Sequence, residues 1–295
     1  MITYLQAIII GLLQGISELF PVSSLGHSVL VPWLLNWHII LADQSKSESF
    51  YLSFVVVLHV ATATALLIFY RSIWWRIIKG FFGSVRTRRV DSPDARLAWL
   101  LIAATIPAGI TGLAFEHQLR TQFAKPLSAI IFLFINGCIL LIGDRHIKQT
   151  SRRQSYRQVV TSEHISSKLT FGRAIIIGVA QIGALFAGIS RSGITMVSGL
   201  YSGLNHEDAA RFSFLLATPI IFGAGVIKAP DFFSKLDAGV RPQILVGGVV
   251  AGVAAYLTVR YLDKYFRNNT LRPFAIYCLC ASVAMLLLGL VRGHF

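Results

Sequence analysis

Long uncharged apolar runs recur along this chain at lengths that fit a bilayer. A helix needs about 20 mostly apolar residues to cross the hydrocarbon core. Six runs approach or meet that length: Phe50–Tyr70, Leu97–Phe115, Pro126–Gly143, Phe212–Ile227, Pro242–Val259 and Phe274–Val291. Each predicts a spanning helix. Two further apolar regions, Met1–His38 and Ala174–Gly203, are long enough for a helix pair but are broken midway by Gly, Ser and a charge. Each predicts two helices joined by a non-helical turn.

The polar stretches between these runs orient the chain. Arg71–Arg96 and Arg145–Arg173 each hold seven Lys or Arg. Basic loops beside spans stay on the cytoplasmic side, and two spans separate these loops, so the assignments agree. Arg260–Arg272, with four cations, and Asn205–Arg211 are then also inside. Glu116–Lys125 and His38–Ser49 fall outside. Each broken region must begin and end on one side, which predicts a re-entrant hairpin. The expected fold is an all-α polytopic membrane protein built from two inverted repeats, each a re-entrant helix hairpin plus three transmembrane helices. Residues 1–143 form the first repeat, 144–173 a basic cytoplasmic linker and 174–295 the second. Inverted repeats leave weak internal similarity. An offset of 167 residues aligns Gln14 with Gln181, Val22 with Ile189, Ser23 with Ser190 and Gly26 with Gly193.

Composition narrows the class further. Of 295 residues, 55% are apolar and 14% charged, against about 25% charged in soluble domains. A soluble fold, a disordered chain and a disulfide scaffold are excluded. The net charge of +14 belongs mostly to the orienting loops, so membrane lipids are expected partners and nucleic acid is not. Cys138, Cys278 and Cys280 lie in apolar runs and read as packing residues. Met1–Gly11 has no Lys or Arg, which argues against a cleaved signal peptide. Trp74, Trp75 and Trp99 read as interfacial anchors.

Charge is informative where it is rare. Of 13 acids only Glu18, and of 27 Lys and Arg only Arg191, lies within a long apolar region. Ionisable groups at membrane depth are costly and mark functional sites. The first hairpin reads Gln14-Gly-Ile-Ser-Glu18-Leu-Phe-Pro21-Val-Ser23-Ser24-Leu-Gly26-His27. Gln14 and Glu18 share a helix face, Pro21 ends that helix, and Ser23 and Ser24 open the next, where an anion is favoured. The second reads Gly188-Ile-Ser190-Arg191-Ser192-Gly193-Ile-Thr195. Hydroxyls surround a guanidinium suited to phosphate oxygens, and Gly188 and Gly193 would let backbone approach an anion. This inventory suits phosphoryl chemistry, with His27 near Ser24 as a general base. His59 and Gln181 are expected to support the site from behind. The bland alternative is a Glu18–Arg191 ion pair that only joins the halves.

These two segments resemble the signatures of bacterial undecaprenyl-diphosphate phosphatases of the bacitracin-resistance type. Supporting stretches are Leu58-His59-Val60, Ile106–Gly112, Gly143-Asp-Arg145, Ala209–Leu216 and Gly223-Ala-Gly225. The resemblance implies a plasma-membrane enzyme that hydrolyses undecaprenyl diphosphate to undecaprenyl phosphate and inorganic phosphate, recycling a cell-wall lipid carrier, with Mg²⁺ or Ca²⁺ as cofactor. It implies Ser24 and His27 as a catalytic pair, Glu18 and Gln14 in the acidic metal motif, and Ser190, Arg191 and Thr195 as phosphate binders; Ser23, Ser192 and Gly193 join them by position. Two positions depart from the family pattern. Position 14 is Gln where many members carry Glu, leaving one carboxylate, and position 187 is Ala where Pro is usual. Serine attack and direct water attack stay open, as does a homodimer. A transporter of a polyprenyl phosphate or another anion is the rival reading, since broken helices and midplane anion sites are also transporter features.

Overall fold

The computed structural model describes residues 2–37, 50–123, 125–147, 161–235 and 240–293. The expected outer loop at 38–49 and the centre of the basic linker at 148–160 lie outside the described residues. Those that are described form helices and short turns, with no strand among them.

The first hairpin is α1 (Tyr4–Ser17) and α2 (Ser24–Leu34). At 1.5 Å per residue these span roughly 21 and 17 Å, each short of the hydrocarbon thickness of about 30 Å. Thr3 starts α1 with a reciprocal cap, its hydroxyl accepting from Gln6 N and Gln6 Oε1 accepting from Thr3 N. Then follow α3 (Phe50–Phe69), α4 (Arg71–Thr87), α5 (Pro93–Phe123) and α6 (Pro126–Ile147). A short α7 (Thr161–Lys168) leads into the second hairpin, α8 (Phe171–Ile182) and α9 (Arg191–Tyr201), with a 3₁₀ turn at Gly183–Leu185 between them. The chain closes with α10 (His206–Lys235), α11 (Arg241–Tyr265) and α12 (Arg272–Val291). Pro242 and Pro273 sit in the first turns of α11 and α12, where a missing N–H costs nothing.

Among the described residues, α5, α6, α10, α11 and α12 are long and apolar enough to cross a membrane, while α3 forms a bent pair with α4. The protein is a multi-pass, all-helical membrane protein. Several helices outrun the apolar windows that predicted them. The basic stretch Arg71–Arg96 is not an open loop: α4 turns 86° from α3 and runs as a helix. It exposes Trp75 and Phe82 between Arg71, Lys79 and Arg86, with Lys79 Nζ 4.9 Å above the Trp75 ring. An amphipathic basic helix set across a spanning helix suits the lipid interface. Trp99 instead donates Nε1–H to Ser84 Oγ at 3.0 Å, tying α5 to α4. The cysteines are free, and Cys278 is buried in the core.

The two hairpins pack alike. Gly11 of α1 lies against the backbone of Gly247 in α11, and Gly178 of α8 against that of Ala104 in α5. These glycines are 167 residues apart. So are the N-caps Thr3 and Thr170, and again Ser23 and Ser190, each accepting from the amide three residues on.

Acids expected in loops are drawn into the helix ends on the basic side. Asp144 accepts from Arg272 Nε (2.9 Å) and Leu271 N (3.2 Å) and meets His206 Nε2 (3.2 Å). Asp263 accepts from Arg211 Nε (2.9 Å) and Tyr70 Oη (3.1 Å). These clusters fasten α6 to α10 and α12, and α3 to α10 and α11.

Candidate active site

The first hairpin turn folds a hydroxyl back onto a carboxylate. Glu18 keeps helical geometry as the C-cap of α1, so Gln14 lies one turn below it and donates Nε2–H to Glu18 Oε2 at 3.1 Å. Residues 19–22 reverse the chain. Ser23 adopts φ 71°, a left-handed conformation that non-glycine residues rarely hold, and caps α2 by accepting from Gly26 N at 3.1 Å. Ser24 therefore opens α2 beside the end of α1, and its hydroxyl donates to Glu18 Oε2 at 2.5 Å.

The second turn delivers the cation. Ser190 caps α9 by accepting from Gly193 N at 3.1 Å, which sets Arg191 at the first helical position. Arg191 donates through Nη2 (3.0 Å) and Nε (3.3 Å) to Glu18 Oε1, and through Nη1 to the Ser213 carbonyl (3.3 Å). From α3, His59 brings Nε2 to 3.3 Å from Glu18 Oε2 while its Nδ1 bonds the Val55 carbonyl (2.8 Å). Glu18, Ser23, Ser24, His59, Gln181, Ser190 and Arg191 all wall one cavity of about 460 Å³. The rest of the wall is mainly apolar and extends to Tyr51 of α3, Leu113 of α5 and Lys228 of α10. Along α3 and α10, Tyr51 and Lys228 lie far from the residues that join the Asp144 and Asp263 clusters.

The turns are locked to each other from behind. Ser23 Oγ also accepts from Gly188 N at 3.2 Å. Gly188 has φ 113°, and a Cβ there would lie 2.5 Å from the Ala129 carbonyl of α6. Asn136 of α6, fully buried, donates Nδ2–H to Pro21 O (3.0 Å) and accepts at Oδ1 from Ser190 N (2.9 Å). Asn136 went unread in the sequence, although it is the sole carboxamide in the run 126–143.

Several expected roles move. The structure does not bring His27 to the Ser24 hydroxyl. His27 Nδ1–H donates to the Ser23 carbonyl (2.7 Å), leaving Nε2 to accept from Tyr277 Oη–H (2.7 Å), with the two rings stacked. A helix places residues three apart on adjoining faces, and here one face meets the cavity and the other meets α12. His59, expected only behind the site, touches its carboxylate directly. Thr195 Oγ1 is held by the Arg191 carbonyl (2.7 Å) and Ser213 Oγ (2.7 Å), and Ser192 Oγ by Phe20 O (3.3 Å). Gly193 spends its amide on Ser190, and Gly188 meets α6 rather than a ligand. These residues shape the turn; Ser23, Ser190 and Arg191 reach the cavity.

The expected metal motif has a different surrounding. Glu18 is already contacted by Gln14, Ser24, His59 and Arg191, and two of these are cationic or basic groups. No group of three or more His, Cys, Asp or Glu suited to a metal occurs among the described residues. Glu18 and Gln14 as arranged do not make a protein-held divalent site.

Comparison with known proteins agrees with the motifs. The chain matches the family described as bacitracin resistance protein BacA over residues 7–284. It is 50% identical to an undecaprenyl-diphosphatase of Mycolicibacterium paratuberculosis, covering 97% of each chain. It is 48% identical to undecaprenyl-diphosphatase 2 of Frankia alni, covering 94% of this chain and 95% of that one. Identity to undecaprenyl-diphosphatase 2 of Chromobacterium violaceum is 43%, over 97% and 99%. With matched positions that run through both hairpins and all the spanning helices, this chain belongs to the bacitracin resistance protein BacA family.

Proposed function

We propose that this protein is a membrane phosphatase that hydrolyses undecaprenyl diphosphate to undecaprenyl phosphate and inorganic phosphate, recycling the lipid carrier of peptidoglycan synthesis and conferring bacitracin resistance. The observation that carries the mechanism is the Ser24 hydroxyl donating to Glu18 in a cavity shared with Arg191. Ser24 Oγ attacks the terminal phosphorus and Glu18 takes its proton. The bond from that phosphorus to the bridging oxygen breaks, and lipid phosphate leaves. Water then attacks the phosphoserine, and inorganic phosphate departs as Ser24 recovers its proton. Arg191 commits one N–H from each nitrogen to Glu18 and Ser213, which leaves two donors for the transferring phosphoryl group. The N-termini of α2 and α9 add positive partial charge from both turns.

The apolar part of the cavity takes the first isoprene units. Gly112 of α5 and Gly223 of α10 line it, and nothing lies within 4 Å of where their side chains would start. The tail leaves for lipid between these helices. A divalent ion, Mg²⁺ or Ca²⁺, belongs in this reading to the diphosphate and its waters, and none of the steps above passes through it. The shared 167-residue register of caps and glycine contacts supports two inverted, re-entrant repeats. The basic ends then face the cytoplasm and the cavity opens outward from the plasma membrane. No observation favours transport.

The test is phosphate release by detergent-purified protein given undecaprenyl diphosphate, combined with acid trapping of labelled enzyme. The expected result is release by the parent and label on Ser24. Full activity in Ser24→Ala would rule out the serine route.

A further inference from the structure

Gln181 closes the last turn of α8 inside the cavity wall. Its side chain is 3% exposed, yet neither Nε2 nor Oε1 has a hydrogen-bond partner in the protein. Native interiors pair nearly all such groups, and a buried amide left unpaired costs about 1–3 kcal/mol.

The repeat register shows what this amide lacks. Gln14, its counterpart, donates to Glu18 four residues on. Four residues after Gln181 stands Leu185, whose side chain has no acceptor to offer. Nor does α5 opposite supply one: the Thr105 hydroxyl in the same wall donates to its own helix at Leu101 O, 2.7 Å away, and makes no hydrogen bond with either Gln181 amide atom. A polar side chain thus stands where its local partner is apolar, in the wall of a cavity that also holds Ser24 and Arg191. An isoprenyl chain could satisfy neither amide atom; a phosphate oxygen and its water can satisfy both.

We infer that Gln181 is a substrate-positioning residue whose Nε2–H donates to a phosphate oxygen of the bound diphosphate while Oε1 holds a water on the same headgroup. The inference rests on the proposed phosphatase reading and adds a further contact to that site. It predicts an unusual pairing of effects. In Gln181→Leu and Gln181→Met, the melting temperature in detergent stays level or rises, because no protein partner is lost. KM for undecaprenyl diphosphate rises about ten- to a hundredfold, the worth of a hydrogen bond to a charged group, with kcat less affected. Inorganic pyrophosphate raises the melting temperature of the parent but not of either variant.

An unchanged KM in both variants would overturn the inference. So would a lowered melting temperature with unchanged KM, which marks a purely structural amide. If the parent itself releases no phosphate, the phosphatase reading fails separately, and Gln181 is judged by pyrophosphate alone: equal thermal shifts in parent and variants refute the contact.

Discussion

Glu18 gathers Gln14, Ser24, His59 and Arg191 from three segments of chain around one buried carboxylate. Such a group is held by its partners, since breaking a buried ion pair from one side costs about 3–5 kcal/mol. Glu18→Gln is therefore expected to lower the unfolding midpoint and cut phosphate release by about 10²–10⁴-fold, the usual worth of a general base; thermal unfolding and a phosphate assay read the two effects. The two histidines separate by the same logic. His59→Leu removes a group on the reacting carboxylate and should reduce turnover by about 10²-fold. Tyr277→Phe loses only the bond to His27 Nε2, about 1 kcal/mol of stability, and should retain turnover. Comparable loss of turnover in Tyr277→Phe would place His27 in the reaction after all.

At the scale of elements, the site depends on two turns held in contact by a helix that supplies no reacting group. Asn136 gives α6 one donor for the first turn and one acceptor for the second. Asn136→Leu would strand the Ser190 amide at about 1–3 kcal/mol and leave the Pro21 carbonyl only the weak Cys278 thiol donor at 3.9 Å. Lower thermal stability and a fall in kcat are expected together, and unaltered kcat in a folded variant would count against the clamp. Gly188 tests the same contact by shape. Gly188→Ala combines φ 113° with overlap on Ala129 and should yield little folded protein in a detergent sizing assay. Gly112→Ala, which meets open space, should fold and turn over normally.

Across the whole molecule, one end is fastened and the other is open. The Asp144 and Asp263 clusters tie five helices at the basic end, whereas the cavity reaches the far parts of α3 and α10 and the middle of α5. This division matches a lipid substrate that enters sideways with its headgroup buried. Narrowing the slot should therefore discriminate by tail length. Gly223→Phe is expected to raise KM for undecaprenyl diphosphate several-fold more than KM for a short prenyl diphosphate, measured with both substrates in one detergent. Equal effects on the two would place the tail elsewhere.

Much of this was written in the chain itself. Span positions follow from apolar runs because lipid offers the backbone no hydrogen bonds outside a helix. Glu18 and Arg191 could be singled out because charge at that depth is rare. The helical continuation of Arg71–Thr87 was less legible, since a basic amphipathic helix and a basic loop share a composition. The partners of individual side chains were decided only by tertiary packing. Sequence spacing put His27 three residues from Ser24 but could not show that Tyr277, 250 residues away, takes its ring. Nor could it bring His59 to Glu18, Asn136 to both turns, or leave the Gln181 amide in a cavity wall without a hydrogen-bond partner. Hydrophobicity acts on each segment alone and so can be read in order; hydrogen bonds between distant segments exist only once the helices have met.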